Sequence, residues 1–373
     1  MSSPGFIGKP KIIPVLDSKF RPAILEDRAY LDAVAKSGQG VPLTIALERG
    51  DGLISNFQTI VFNDNSELAA TNFQYVERLT KTLLWARGGW KLTIGGSERL
   101  GEYIKKVYAP GGLREFDAKF MSTVYERPFT VLMTTAEQVP EAKEVSHPIG
   151  RHLKGCRIGF DAGGSDRKVS AVIDGETVYS EEVIWHPKDH NDPEYHYNEI
   201  LTAMRTAASY LPRVDAIGVS AAGIYINNRV MVASLFNKVP DDLFAAEIKN
   251  IFLTIQKEMS GVPLVVANDG DVTALAGAME LNDTNVLGLA MGTSEAGGYV
   301  DQLGNITGWL NELAFIPVDF NPFASSQDQE GISSIESGGN YRSIGPMILH
   351  GSMSGQRALG KYQVMESNVG PWF

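Results

Sequence analysis

Three short segments place polar residues and glycines directly after apolar runs. In the first, IGFDAGGSDRK, an apolar run ends at Asp161 and turns through Gly163, Gly164 and Ser165 toward Lys168. Glycines at such a turn leave backbone amides uncovered, which suits the oxygens of a phosphate group. The alternative is an ordinary glycine-rich hairpin turn. The segment therefore predicts a hairpin whose tip is a candidate anion site.

The second segment, VVANDGD, places Asn268 and Asp269 at the end of an apolar run. In open α/β sheets, ligands bind at the carboxyl ends of the parallel strands. An aspartate there could take a proton from a hydroxyl group, and an asparagine could orient the substrate. The alternative is that one of the two residues only caps the helix that follows.

The third segment, AMGTSEAGG, follows a further apolar run with Gly292, Thr293 and Ser294, and then with a pair of glycines. Amides and hydroxyl groups at such a turn could bind the far phosphates of a nucleotide. Glu295 lies in the same turn, where its negative charge would repel a phosphate. The alternative is again a plain hairpin.

Composition limits the kinds of protein this chain can be. Its 373 residues, 43% hydrophobic and 21% charged, are typical of a globular protein with two or more domains. No run of about 18 apolar residues predicts a membrane span, and the N-terminus does not resemble a secretory signal. Cys156, the single cysteine, excludes a disulfide framework and a cysteine-based metal site, and favours a cytoplasmic location.

The net charge of −11 is unevenly distributed along the chain. Residues 1–150 hold 18 basic and 17 acidic side chains, which leaves 15 of the 33 basic and 27 of the 44 acidic ones for the rest. An acidic second part argues against a nucleic-acid groove there. We expect neither a nucleic-acid partner nor a membrane partner.

Periodicity predicts the elements that position the three segments. Residues 1–40 predict an irregular lead-in with one helical pattern over 23–35, and residues 41–135 an α/β domain of unknown role with two strands, a helix, a strand and a helix. A helix starting after Ser97 fits the capping preference of serine. Residues 136–155 are polar and predict a linker.

From residue 156 the pattern restarts with a hairpin and a third strand. A helix, a strand, a helix, a buried strand, a further helix and a second hairpin follow. Three antiparallel strands followed by alternating helices and parallel strands is the order of a ribonuclease-H-like α/β fold. We therefore predict an α/β protein with this fold in residues 156–373, preceded by a separate or packed-on α/β domain.

Taken together, the three segments resemble the actin-like ATPase and sugar-kinase superfamily, and more narrowly the ROK family of sugar kinases and repressors. The resemblance covers about residues 156–320. The ROK motifs are a D-x-G-G-T hairpin, an N-D strand end, a G-T-G-rich hairpin and a G-E-x-G-H segment, and the corresponding residues here are 161–165, 268–269, 292–298 and 311–315. Ala222 and Gly223 stand where the family has a Pro-Gly loop before its sugar site.

The resemblance implies an ATP-dependent sugar kinase. Asp269 would be the general base on a sugar hydroxyl, and Asn268 and Glu312 would bind the sugar. Asp161 would hold a magnesium ion through water. The ATP phosphates would be bound by the remaining residues of the two hairpins, which are Gly163, Gly164, Ser165, Lys168, Gly292, Thr293 and Ser294. The implied partner is a small-molecule sugar, and a homo-oligomer remains an open alternative.

Several residues depart from the ROK pattern. Phe315 replaces the family histidine, and no cysteine cluster follows it, so no zinc is expected. Asp166 and Arg167 lengthen the first hairpin, and about 80 residues follow Gly292, which predicts an incomplete second subdomain without a clear adenosine pocket. These departures support an alternative function, a non-catalytic sugar- or nucleotide-binding regulatory protein that retains the kinase fold.

A histidine-rich segment, HPKDHNDPEYH, is a further candidate site. Imidazole and carboxylate groups are good metal ligands, and His186, His190 and His196 occur here with acidic neighbours. The proline-rich spacing favours a solvated loop instead, and that is our prediction for the segment.

Overall fold

A computed structural model of the chain describes residues 22–291 and 295–319, together with residues 6, 8, 10–13, 15 and 342–343. The chain divides into two compact units. Unit 1 contains the described residues up to Val145, those of 291–296 and those from Gly308 onward; unit 2 contains residues 146–290 and 297–307. None of the helices in the described ranges is long and apolar enough to cross a membrane.

Unit 1 is built on a four-stranded sheet with the order β2-β1-β3-β4. Strands β2 and β3 run antiparallel to β1, and β4 runs parallel to β3. The elements of unit 1 up to Val145 are α1 (Ala23–Ser37), β1 (Gly40–Glu48), β2 (Ile54–Phe62), α2 (Thr71–Arg87), β3 (Lys91–Gly95), α3 (Glu98–Val107), α4 (Glu115–Tyr125) and β4 (Thr130–Thr134). The predicted α/β character is confirmed, and α4 and β4 are additions that periodicity did not indicate.

Local sequence explains where these elements begin and which face they bury. Ser97 caps α3 as predicted, since its Oγ accepts a hydrogen bond from the Leu100 amide at 3.2 Å. Alternate residues of β1 (Leu43, Ile45 and Leu47) are buried in the unit 1 core. Thr44 and Ala46 between them are buried as well, so both faces of β1 are covered.

The core of unit 1 also contains charged residues. Lys81 of α2 contacts Asp117 of α4, with Nζ at 3.0 Å from Oδ1, and the indole N–H of Trp85 donates to the same oxygen at 2.9 Å. Arg114 pairs with Glu77. The four charged side chains are at most 5% exposed. Two acids and two bases therefore compensate one another between α2 and α4.

Unit 2 is built on a five-stranded sheet with the order β11-β8-β5-β6-β7. Strands β5, β6 and β7 form an antiparallel meander, whereas β8 and β11 lie parallel to β5. Its main elements are β5 (Cys156–Ala162), β6 (Asp166–Ile173), β7 (Glu176–Ile184), α5 (Pro193–Ala208), β8 (Ala216–Ala221), α7 (Ile251–Glu258), β11 (Leu264–Asn268) and α8 (Asp269–Leu281). This order and these directions are those of a ribonuclease-H-like sheet. The predicted fold class is confirmed.

Smaller elements complete the chain. Strands β9 (Ile224–Ile226) and β10 (Arg229–Val232) form one two-stranded sheet, and β12 (Val286–Met291) and β13 (Glu295–Val300) form another. In unit 1, β14 (Pro317–Asp319) pairs with β15 (Arg342–Ser343). The second predicted hairpin therefore forms, whereas β9 and β10 were not expected.

Two expectations for unit 2 were wrong. The long helix predicted after residue 240 is broken into α6 (Asp241–Leu243), a π-helical turn (Phe244–Ile248) and α7. The strand predicted to be buried, β11, has Val265 38% exposed, because strand alternation turns Val265 away from the face on which Leu264 and Val266 pack in the core.

Candidate functional site

A row of polar residues crosses four strands of the unit 2 sheet near the carboxyl end of β5. Ser220 of β8 pairs with Asp161 of β5, Asp161 pairs with Lys168 of β6, and Lys168 pairs with Glu182 of β7. Directly paired residues place their side chains on the same face of a sheet. Strand alternation puts Phe160 on the opposite face, in the apolar core. The sheet therefore separates a packed face from a polar one.

Asp161 is half-buried and accepts a hydrogen bond from the Ser220 hydroxyl. Burial raises the pKa of Asp161, against the lowering effects of the Ser220 hydrogen bond and the Lys168 charge. A carboxylate held between a hydroxyl donor and a lysine remains available to a cation or to water. Magnesium binding by Asp161 stays a prediction.

Asn268 and Asp269 lie where β11 meets α8, in register with the end of β8. Asn268 pairs with Ala221 across the parallel strands. Its Oδ1 accepts from the Gly270 amide at 2.7 Å, and its Nδ2 donates to the Gly223 carbonyl at 2.7 Å. The capping alternative is therefore correct for Asn268. One N–H of its amide group is not used by these contacts, and sugar binding by Asn268 stays a prediction.

Asp269 is the first residue of α8 and is half-buried. Burial raises its pKa; the Gly270 amide, which donates to Oδ1 at 3.0 Å, lowers it, and the negative charge of Asp161 raises it again. In the described part of the chain, no lysine or arginine nitrogen lies within 4.0 Å of its carboxylate. A carboxylate with a raised pKa and no cationic partner is suited to accept a proton.

Asp271, two residues further along α8, was not expected at the site. Its Oδ1 is buried and has no hydrogen-bond partner among the described residues. Burial raises the pKa of Asp271 to about 7, and the negative charge of Asp269 contributes to the increase. Three aspartates with raised pKa values (Asp161, Asp269 and Asp271) thus occupy this edge of the sheet.

The tip of the β5–β6 hairpin, residues 163–165, has a shape that requires glycine. A methyl group on Gly163 would lie 2.6 Å from the Asp166 carbonyl oxygen, so a side chain cannot be accommodated. Trp185 holds both ends of the tip: its indole N–H donates to the Gly163 carbonyl at 2.8 Å and its backbone N–H to the Ser165 carbonyl at 3.1 Å. The predicted hairpin with a bare tip is therefore present.

Lys168, which the motif assigns to the phosphates, lies on β6 beside the tip. Its Nζ is 3.4 Å from Asp166 Oδ1 and 4.0 Å from Glu182 Oε1. These carboxylates and that of Asp161 raise the pKa of Lys168. Its charge is thus surrounded by carboxylates, and phosphate binding by this residue stays a prediction.

The other predicted site residues lie in unit 1 or outside the described part of the chain. Glu312 belongs to unit 1, where its amide donates to the Trp85 carbonyl at 3.1 Å. Glu295 begins β13, is 5% exposed, and burial raises the pKa of its carboxyl group. The three predicted phosphate-binding residues that lie outside the described part of the chain are Gly292, Thr293 and Ser294.

Gly298, the second glycine of the pair in the third segment, has a packing role in the structure. A methyl group on Gly298 would collide with the backbone of Gly270 and Asp271 at the start of α8. Gly288 of β12 approaches Ala274 in the same way. These glycines let the strands lie directly on the helix that carries Asp269, so they fix the position of that helix.

In the histidine-rich segment His186, Asp189, Asn191 and Asp192 are exposed, as expected of a solvated loop, whereas the last histidine lies in the core. His196 lies in α5, is fully buried, and contacts the rings of Trp185 and Phe236. Burial lowers its pKa. Nowhere in the described ranges do three or more His, Cys, Asp or Glu side chains form a group that could hold a metal ion.

Sequence reasoning missed Ser220, Trp185 and Asp271. Ser220 lies in a strand that was predicted, one residue before the Ala-Ala-Gly loop, and only sheet register reveals that it faces Asp161. Trp185 follows β7 and could have been noticed as an aromatic residue at a strand end. Asp271 was visible in the motif itself, as the second acid after Asn268.

Comparison of the chain with known proteins finds similarity to solved structures only. No family model and no curated protein matches the chain. Similar solved structures include a ROK family transcriptional regulator, a homologue of the E. coli MLC protein (18% identity, TM-score 0.42, covering 57% of this chain and 51% of that one). They also include an inorganic polyphosphate/ATP-glucomannokinase from Arthrobacter sp. strain KM (21%, TM-score 0.36, 48% and 72%) and a ROK hexokinase from Thermus thermophilus (16%, TM-score 0.36, 48% and 63%).

ROK proteins are thus among the structures that this chain resembles, as the sequence predicted. The chain spans about half the length of the regulator that it matches.

Proposed function

We propose that this chain is a ROK-like sugar kinase that transfers a phosphoryl group from ATP to a hydroxyl group of a hexose or a related sugar. The observation that carries the proposal is the edge of the unit 2 sheet. There Asp161 and the bare 163–165 tip lie at the carboxyl end of β5, and Asp269 follows the carboxyl end of β11, which is separated from β5 only by the parallel strand β8. This is where open α/β sheets bind ligands.

Asp269 is the general base in this proposal. Burial and the charge of Asp161 raise its pKa, and among the described residues no lysine or arginine lies within 4.0 Å to neutralise the carboxylate. It would take the proton of the sugar hydroxyl as the hydroxyl oxygen attacks the terminal phosphorus and the bond to the leaving diphosphate breaks. Phosphoryl transfer depends mainly on such positioning and on stabilisation of phosphate charge.

The residues at this edge fit a magnesium ion bound together with nucleotide phosphates. Magnesium is usually held by one or two carboxylates, by water and by substrate phosphates, and not by a complete protein cage. Asp161 offers such a carboxylate, oriented by Ser220. When bound, the ion would neutralise charge on the phosphates, while Asp161 would hold its water ligands.

The test of this proposal is phosphoryl transfer from MgATP to a panel of hexoses, with Asp269→Asn beside the wild type. Loss of a general base is expected to lower kcat by about 10²- to 10⁴-fold. Asp242→Asn, at an exposed position of α6, is the matched control and should retain full activity. An Asp269→Asn variant as active as the wild type would show that Asp269 is not the base.

A second candidate function is a regulatory protein that binds a sugar or a nucleotide without turnover. The observation that favours it is Phe315, which replaces the family histidine and stacks on Trp85 in the core of unit 1 at 4.1 Å between ring centroids. That position is committed to packing and offers no polar group to a substrate. Sugar-dependent stabilisation without any phosphoryl transfer would identify this function.

Thermal unfolding with MgATP separates the two candidates further. A nucleotide site stabilises the folded chain by about 2.7 kcal/mol when the ligand is present at a hundredfold excess over Kd. A rise in the unfolding midpoint that corresponds to this free energy, together with sugar phosphorylation, is expected of the kinase. No shift at millimolar MgATP would contradict the kinase proposal.

A further inference from the structure

A lysine outside the sequence motifs crosses the tip of the β5–β6 hairpin. A methyl group placed on Gly164 would lie 3.1 Å from Nζ of Lys188 and 3.3 Å from its Cε. Lys188 lies in the 3-10 helix Pro187–Asp189, directly after β7. Its ammonium group therefore lies beside the exposed backbone of residues 163–165.

The carboxylates closest in sequence to this lysine and to the tip are paired with other cations. Asp166 is 3.4 Å from the ammonium nitrogen of Lys168, and Asp189 is 3.3 Å from that of Lys238. In the described part of the chain, no carboxylate oxygen lies within 4.0 Å of Lys188 Nζ. The positive charge of Lys188 is thus not neutralised by an ion pair.

The backbone of the tip adds further hydrogen-bond donors. Two of its carbonyl groups, those of Gly163 and Ser165, are occupied by the two N–H groups of Trp185. Within the described ranges, no acceptor takes the amide N–H of Gly163, Gly164 or Ser165. A turn whose carbonyl groups already accept hydrogen bonds, and whose amide N–H groups have no acceptor, favours the binding of an anion.

We infer that Lys188, which no motif assigns to the site, is the side-chain cation that binds the phosphate chain of a nucleotide at the 163–165 tip. The identity of the anion as a phosphate rests on the proposed function. Lys168, the lysine of the motif, instead balances Asp161, Asp166 and Glu182. Lys188 thereby binds the ligand, and Lys168 compensates the charge of the carboxylates.

The test measures binding directly, so it does not depend on turnover. Dissociation constants for MgATP and for inorganic tripolyphosphate are determined by calorimetry at one ionic strength for the wild type, Lys188→Met and Lys188→Arg. Losing a charged hydrogen bond to a phosphate is expected to weaken both ligands about ten- to a hundredfold in Lys188→Met. Lys188→Arg keeps the charge and should recover most of the affinity.

Lys257→Met is the matched control, because Lys257 is an exposed lysine of α7 in the same unit. It removes one positive charge without touching the tip and should leave both dissociation constants unchanged. Circular dichroism of each variant checks that the fold is retained.

The outcomes separate this inference from the kinase proposal. Equal affinities in Lys188→Met and wild type, or a wild type that binds neither ligand, would overturn the anion site. Weaker binding in Lys188→Met, in a protein that phosphorylates no sugar, would establish the site and refute the kinase. Binding of MgATP without binding of tripolyphosphate would show that the nucleoside dominates, and would overturn the assignment to the phosphate chain.

Discussion

Unit 1 and unit 2 both bury charged side chains, and they differ in how those charges are compensated. In unit 1, Lys81 and Asp117 contact each other at 3.0 Å, and Arg114 pairs with Glu77. Burial raises the pKa of Glu77, while the charge and hydrogen bond of Arg114 oppose the increase. Each acid of this group has a base beside it.

The sheet edge of unit 2 lacks such balance. Asp269 and Asp271 have no basic side chain within 4.0 Å in the described part of the chain, and burial raises the pKa of both. Compensated buried charges are compatible with a purely structural role, whereas uncompensated ones cost stability and are typical of functional sites. We therefore expect the paired buried charges of unit 1 to serve the fold, and Asp269 and Asp271 of unit 2 to serve a ligand.

The largest expected effect on stability comes from breaking the compensation in unit 1. Lys81→Met leaves Asp117 buried without its base and is expected to lower the free energy of unfolding by about 3–5 kcal/mol. Chemical denaturation followed by tryptophan fluorescence measures the loss. The double variant Lys81→Met/Asp117→Asn, which removes both charges and keeps an acceptor for Trp85, should recover most of it.

Lys119→Met provides the matched control for this prediction. Lys119 pairs with Glu115 at 2.8 Å, but its side chain is 74% exposed. Loss of such an exposed pair is expected to cost less than about 0.5 kcal/mol. If Lys119→Met and Lys81→Met cost the same, the buried group would not have the structural role given to it here.

In unit 2, removing a buried negative charge should raise the free energy of unfolding instead of lowering it. Burial and the charge of Asp269 raise the pKa of Asp271 in the folded chain to about 7, from the ordinary value of 3.8. The folded chain therefore binds more protons than the unfolded chain between about pH 4 and 7, and stability falls as the pH rises through that range. Asp271→Asn is expected to raise the free energy of unfolding at pH 8 by on the order of 2 kcal/mol.

The pH dependence of stability distinguishes the loss of the buried Asp271 carboxylate from the loss of any negative charge. The advantage of Asp271→Asn should shrink as the pH is lowered from 8 toward 4, where the wild-type carboxyl group is protonated. Asp242→Asn, which removes an exposed charge, should show no such trend. An Asp271→Asn variant less stable than wild type at pH 8 would mean that the carboxylate has a stabilising partner.

A smaller effect on stability is expected from a substitution in the bare 163–165 tip. Gly163→Ala would place a methyl group 2.6 Å from the Asp166 carbonyl, so we expect a loss of about 1–3 kcal/mol and weaker MgATP binding. Gly218→Ala is the control, because nothing lies within 4 Å of a methyl group at that exposed strand position. Equal behaviour of the two variants would contradict the close approach at Gly163.

The sequence predicted the framework of unit 2 because its elements are local patterns. Apolar strands ending at Asp161 and at Asn268 are visible as runs, and parallel strands bring their carboxyl ends to one edge. The cap by Asn268 was foreseen as an alternative for the same reason. Motif and periodicity therefore located the edge and two of its acids.

The contacts that complete the site depend on tertiary packing and could not be read from local patterns. Lys188 approaches Gly164, and Ser220 faces Asp161, through pairings of residues far apart in the chain. His196 was predicted to be solvated, because its proline-rich surroundings indicate a loop, yet α5 places it in the core. In unit 1, nothing in the periodicity of α2 showed that Lys81 would be buried beside a partner on α4.

The free energy of unfolding of Asp269→Asn at pH 8 tests the central claim most directly. If Asp269 is an uncompensated carboxylate kept for a ligand, replacing it by an isosteric amide relieves repulsion from Asp161 and Asp271. The variant is then expected to be as stable as the wild type or up to about 1 kcal/mol more stable. A loss of several kcal/mol, like that predicted for Lys81→Met, would show that Asp269 is a structural residue and would contradict this account of the site.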